Sequence, residues 1–226
     1  YEAKQFAEAD GQVAKDIILW HEFRSGRGNP AELKEFLQRN KNWPGLPYLI
    51  EKGEQVFFES GRNNVLSWFD KYPPKSETAA IIYADALLEV GNKNKAELIL
   101  QDKWISEIMD PDLRTLYLKK HDAALSELHD ERVIELLWRD AFSAVDELMP
   151  LLSEDYKKLA KAVLALRKYE KEGVNTLINR VPETLRAHPV LNFARFKWRL
   201  QFGYNDRAYQ LLHELSKKKE YLGRPE

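Results

Sequence analysis

The sequence predicts an all-α chain, a right-handed α-superhelix of helical hairpins of a degenerate tetratricopeptide-like kind, and three observations carry that expectation. Apolar residues recur at three- and four-residue steps. The punctuation consists of helix caps, with no stretch of Val, Ile and Thr alternation bounded by hairpin dipeptides. A glycine-to-alanine spacing repeats weakly along the chain, as a repeat architecture requires.

The elements follow in order. Asn29-Pro30 places a capping side chain before a proline at the first helical position, where the missing N–H costs nothing. Ser76 opens an apolar-periodic run that stops at Gly91, an N-cap at one end and a left-handed residue past the other. Asp110-Pro111 repeats the cap-and-proline start. Asp130 opens a run through Trp138, and Ser153 opens one in which Tyr156, Leu159, Ala160, Val163 and Leu166 share a face. In Tyr83 to Gly91, followed by Ala96, a glycine ends one helix and a small residue sits five positions later; Phe193 to Leu200, Gly203 and Ala208 repeat that spacing. Gly61 and Gly173 occupy similar turns, with Leu66 and Ile178 where the alanine would be. The run from Ser76 to Val90 is apolar on almost every side, which suits a helix touching both the preceding and the following hairpin. No linker or low-complexity stretch divides the chain, so one superhelical domain over residues 1–226 is the economical expectation.

Composition narrows the function classes. At 226 residues the chain exceeds an average domain, roughly 100–150 residues. It contains no cysteine, which excludes a disulfide scaffold, a thiolate metal site and a cysteine nucleophile. Thirty-five basic residues against 36 acidic ones give a net charge of −1, without the basic excess of a nucleic-acid footprint. The longest apolar run, Ala79 to Ala84, is far shorter than the roughly 20 residues that span a bilayer, so no membrane span is expected. A hydrophobic fraction of 44%, with six Trp, ten Tyr and ten Phe, supplies a packed core. The chain begins at Tyr1 with no N-terminal signal pattern, which reads as a processed protein or an excised fragment.

Each place where chemistry could reside has a structural competitor. Glu59-Ser60 is an acid followed by a serine, but just before Gly61 it reads as the polar frame of a turn. His21, His121, His129, His188 and His213 form no i, i+4 pair and no HExxH arrangement, so no metal and no cofactor is expected. His129 with Asp130-Glu131-Arg132 is the densest cluster, and Asp130 as a cap with acids in the first turn explains most of it. No phosphate cradle and no serine elbow is present. Lys217-Lys218-Lys219 reads as a solvated helix end. Trp20, Trp43, Trp68, Trp104, Trp138 and Trp198 are spaced to fill the wedge between successive hairpins, with a sugar-stacking concave surface as the competing reading. No catalytic residue is assigned.

Asp16-Ile17-Ile18-Leu19-Trp20, then Phe36-Leu37, Asn40, Trp43-Pro44-Gly45, Leu49 and Glu54, resembles the opening of the superhelical region of soluble lytic murein transglycosylases in their alphaproteobacterial-like form. Trp68-Phe69 before Pro73, Tyr83 to Gly91, His129-x-x-Arg132 leading to Leu136-Leu137-Trp138, and Val181-Pro182 followed by Phe193 to Arg199 continue it in order, from about residue 16 to about residue 212. The resemblance implies the N-terminal U-shaped region of a periplasmic enzyme that cleaves the bond between N-acetylmuramic acid and N-acetylglucosamine in peptidoglycan and leaves a 1,6-anhydro end. In that family a lysozyme-like domain C-terminal to the superhelix holds the catalytic glutamate, followed by serine, and a later glycine-leucine-methionine-glutamine segment. Glu59-Ser60 shares the two letters but sits within the superhelix, so the role is not carried onto it. The implied role of this chain is non-catalytic, with peptidoglycan glycan strands and other cell-wall proteins as partners and periplasmic localisation. The alternative is a stand-alone helical-repeat adaptor for a peptide or protein. The last hairpin, Phe193 to Leu215, is as apolar as internal ones, which predicts end-to-end self-association.

Overall fold

The computed structural model describes residues 10–217, and across them the fold is all-α, with no strand among the described residues. The helices are α1 (Gln12–Arg24), α2 (Pro30–Arg39), α3 (Leu46–Gly53), α4 (Arg62–Phe69), α5 (Glu77–Glu89), α6 (Lys93–Ser106), α7 (Pro111–Leu125), α8 (His129–Trp138), α9 (Phe142–Leu148), α10 (Glu154–Arg167), α11 (Val174–Arg180), α12 (Glu183–Arg186), α13 (Pro189–Gln201) and α14 (Asn205–Ser216). They gather into two compact units, one running to Lys103 and including Met109–His121, the other made of Trp104–Ile108 and the chain from Asp122 onward.

Local chemistry explains most of the starts and stops. Asn29 Oδ1 accepts the Ala31 and Glu32 backbone N–H groups at the head of α2, Ser76 Oγ accepts that of Ala79, Asp110 Oδ1 that of Leu113, and Ser153 Oγ that of Tyr156. At the end of α5, Gly91 takes a left-handed φ of 79°, so that the Asn92 and Gly91 N–H groups return to the carbonyls of Leu87 and Leu88. Ala96 and Ala208, five residues after Gly91 and Gly203, are both fully buried, as close packing at those turns demands.

In the first unit, α1 packs on α2 and α3, and α4 packs on α5. An edge-to-face chain joins Phe23 to Phe36 and Phe36 to Trp43, with centroids 5.8 and 5.4 Å apart. The chain closes tightly after α1. Gly28, at a φ of 124°, leaves no room for a side chain, because a Cβ there would lie 2.6 Å from the Phe23 ring. Two buried carboxylates tie the elements together. Asp16 accepts hydrogen bonds from Gln12 Nε2, Arg39 Nη2 and Asn40 Nδ2 at 2.8–2.9 Å. Glu54, in the 3-10 turn after α3, accepts the backbone N–H groups of Lys75 and Ser76 at 2.9 Å and so fixes the approach to α5.

In the second unit, α10 is the central helix and packs on α8, α11 and α13, with α14 against α13. Leu159, Ala160, Ala162 to Leu166, Val190, Leu191 and Ala194 are buried there. Arg132 is buried with its guanidinium 4.2 Å above the Trp104 ring, and its Nη1 donates to the Glu107 carbonyl at 3.0 Å. Asp140 takes a left-handed φ of 54° and receives Arg167 through both Nε and Nη2.

One capping assignment is corrected. The helix expected to open at Asp130 starts at His129 with no side-chain cap, and Asp130 Oδ1 instead accepts the Ser153 N–H at 3.0 Å. Its carboxylate serves the connection into α10, 23 residues on in the chain. The last hairpin, read from Phe193, has a first helix that begins earlier, at Pro189, where His188 Nδ1 accepts the Val190 N–H.

Candidate functional site

A cleft of about 200 Å³ lies in the first unit, between α2 and α4. Lys34, Leu37 and Gln38 stand at three- and four-residue spacing and so share one face of α2. Ser67 and Trp68 come from the end of α4. Lys71 and Tyr72 follow, placed by the return of both their N–H groups to the Trp68 carbonyl. Trp68 is fixed from behind by Phe57, stacked at 4.2 Å and 16°, and from the side by Tyr72 at 4.6 Å.

The cleft is electropositive. Lys34 Nζ donates to Ser67 Oγ at 2.8 Å and to Asn64 Oδ1 at 3.1 Å, both neutral oxygens. Lys71 Nζ lies 5.1 Å above the Tyr72 ring. Nearby carboxylates are committed elsewhere: Glu35 lies 3.6 Å from Arg39, and Asp70 accepts from Tyr83 Oη and Lys95 Nζ at 2.5 and 2.7 Å. The Lys95 and Tyr83 hydrogen bonds hold the Asp70 carboxyl below the usual range, while burial and then Asp70 raise the Tyr83 hydroxyl. Trp68 is 1% exposed, and its indole Nε1 has no hydrogen-bond partner. The ammonium groups of Lys34 and Lys71 and the Gln38 amide thus border a small cleft whose other lining residues are Leu37, Ser67, Trp68 and Tyr72, an arrangement suited to a small anion.

The other candidates have structural roles. Ser60 Oγ donates to the Phe57 carbonyl at 2.8 Å and closes the 3-10 turn, and Glu59 beside it is exposed. His129 is buried 5.6 Å from Trp104; burial pushes it below the ordinary histidine range, against Asp122 and Asp130. His188 caps α13 and is lowered by burial. His121 sits at a kink in α7, its Nε2 3.1 Å from Asp85 Oδ1, and His21 and His213 are exposed. Among the described residues no group of three or more His, Asp or Glu side chains could hold a metal ion, and no helix is long and apolar enough to cross a membrane. Lys217 follows α14 and is exposed, while Lys218 and Lys219 lie outside the described residues. Trp68 and Trp104 are core, and Trp20, Trp43, Trp138 and Trp198 are half-buried and pack on His21, Phe36, Phe193 and Phe202.

Sequence reasoning missed Lys34, Gln38, Lys71 and Tyr72. The one available signal was Lys71 beside Tyr72 three residues after Trp68, a basic and aromatic cluster that any surface turn can show. Comparison with family models, with curated proteins and with solved structures returns no match.

Proposed function

We propose that this chain is the non-catalytic scaffold of a periplasmic lytic transglycosylase, a tetratricopeptide-like superhelix of hairpins that holds peptidoglycan glycan strands or partner proteins for a lysozyme-like domain of the parent protein. One observation carries the reading. Many of the residues in which the resemblance is written have tying or packing roles: Asp16 is bonded to Asn40, Glu54 to the turn before α5, Trp43 is against Phe36, and His129 and Arg132 flank Trp104. A resemblance made of fold-keeping side chains is what a scaffold region retains, since its selection acts on shape.

The test is incubation of the chain with insoluble murein, followed by sedimentation and analysis of soluble products. Co-sedimentation without release of anhydro-muropeptides is the expected result, because a muramidase needs a general acid held in a cleft and Glu59 is exposed on a turn. Failure to co-sediment, or release of anhydro products above a buffer blank, overturns the proposal. The adaptor reading draws on a separate observation: Tyr204, Tyr209 and Leu212 are 47, 62 and 41% exposed on the last described hairpin. A peptide or protein captured through that hairpin, with no affinity for murein, would favour it.

A further inference from the structure

We infer that Arg195, Arg199 and Arg207, on the α13–α14 hairpin of the second unit, form a binding site for a phosphoryl group, a tetrahedral dianion that is either free phosphate or carried on a larger molecule. The inference is independent of the scaffold reading.

The hairpin turn sets the placement. Gly203 takes a left-handed φ of 74°, and the Tyr204 N–H returns to the Arg199 carbonyl at 2.8 Å, which brings the end of α13 beside the first turn of α14. The Tyr204 ring stacks on Trp198, with centroids 5.7 Å apart at 18°, and the Arg207 guanidinium lies 6.0 Å from the Tyr204 ring. Across the hairpin, Arg199 Nη1 donates to the Arg207 carbonyl at 2.7 Å. Arg195 stands four residues before Arg199, one turn away on the same face of α13.

The charges gathered there lack partners. Among the described residues no carboxylate lies within ion-pair distance of any of the three, whereas Arg39, Arg62 and Arg167 elsewhere in the chain each have one. Arg195 and Arg199 are half-buried, and burial lowers both; the Arg195 and Arg207 charges lower Arg199 further. Glu214 opposes those effects, from beyond ion-pair distance, and accepts from Gln210 Nε2 at 3.2 Å. A chain of net charge −1 thus holds one locus where like charges face one another, and an oxyanion relieves that repulsion while gaining charge-assisted hydrogen bonds.

Count and shape select the ligand. A guanidinium keeps its proton and presents a fixed fork of N–H donors that matches phosphate and carboxylate oxygens. Three cations and one neighbouring carboxylate leave two positive charges, which a dianion balances and a monoanionic carboxylate only halves. A phosphoryl group also directs its oxygens to the corners of a tetrahedron, so it can take donors from both helices of the hairpin at once. A carboxylate offers two oxygens along one edge and satisfies one fork.

The experiment is a ¹H–¹⁵N NMR titration of the chain with inorganic phosphate, glycerol 3-phosphate and acetate at about pH 8, where the phosphoryl group is chiefly a dianion. Phosphate is expected to move the amides and guanidinium signals of Arg195, Arg199 and Arg207 and to bind roughly fivefold more tightly than acetate, as one further partly exposed ion pair allows. Arg195→Gln should lower phosphate affinity by a similar factor without lowering the thermal midpoint, since it removes a like charge. Arg207→Gln, at an exposed position, should do the same, whereas Lys71→Gln in the α2–α4 cleft should leave phosphate binding unchanged. Glycerol 3-phosphate binding as tightly as phosphate identifies a carried phosphoryl group, and a loss on esterification identifies free phosphate; either upholds the site. Equal affinity for phosphate and acetate, signals that move only outside the hairpin, or phosphate affinity unchanged in Arg195→Gln and Arg207→Gln each overturns it.

Discussion

Replacing Asp16 with alanine is expected to destabilise the first unit by about 2–3 kcal/mol, a value that follows from its three partners. The Asp16 side chain is 6% exposed and accepts from Asn40, Arg39 and Gln12. Arg39 is 39% exposed, so its ion pair contributes about 0–1 kcal/mol. Gln12 is exposed and rehydrates when its acceptor is lost. Asn40 is half-buried, and loss of a hydrogen bond to an ionised acceptor costs it about 1.5 kcal/mol or more. For a unit of roughly 100 residues this lowers the melting midpoint by about 10 °C. Urea unfolding followed by circular dichroism measures it, and a double-mutant cycle with Asn40→Ala should return a coupling of about 1 kcal/mol. The pH arm fixes the cause. Burial would raise the Asp16 carboxyl, but the hydrogen bonds from Asn40, Arg39 and Gln12 override it and hold the group below its ordinary value. A carboxyl depressed in the folded state stabilises fully above its unfolded value, about 3.9, and the contribution is lost as pH falls through the folded value. The difference between wild type and variant should therefore persist from neutral pH to about 4 and narrow below. A loss under about 0.5 kcal/mol, or additive single and double variants, would refute the tie between α1 and the end of α2.

Gly28→Ala should cost about 2 kcal/mol or more in urea unfolding, because an L side chain is strained at that φ and its Cβ meets the buried Phe23 ring; an unchanged midpoint would show that the loop relaxes freely. Burial lowers His129 and His188, so the unfolded chain takes up protons first and stability should fall as pH drops below about 6.5. His188→Asn keeps an acceptor for the Val190 N–H and should flatten part of that slope, and an identical slope would refute the assignment. Leu212→Gln, at an exposed position of α14, should reduce any concentration-dependent association in sedimentation without shifting the circular dichroism spectrum, and a wild-type chain that stays monomeric at high concentration would refute end-to-end contact.

What the sequence disclosed and what it withheld divide by range. Asn29, Ser76, Asp110 and Ser153 act within three residues of themselves, so their side chains could be placed from the sequence alone. Asp130 has the same capping chemistry but meets the Ser153 N–H, and nothing local marks that choice, because a carboxylate at a helix head serves its own first turn or a neighbouring turn equally well. Glu54 poses the same problem: its oxygens accept the Lys75 and Ser76 N–H groups, and nothing in the sequence around it marks those partners. The cleft lies wholly on the long-range side. Its lysines come from positions 34 and 71, and each alone resembles a snorkelling surface charge. Only packing brings them beside Trp68 while Asp70, the acid next to Lys71, is drawn away by Tyr83 and Lys95. The positive character of the cleft thus arises as much from that capture as from the lysines. Disrupting the Asp70 pair, by Lys95→Met for instance, should free a carboxylate close in sequence to the cleft and lower its affinity for a small anion such as acetate in a titration, although residue 95 does not line the cleft; an unchanged affinity would refute the electrostatic role of that capture.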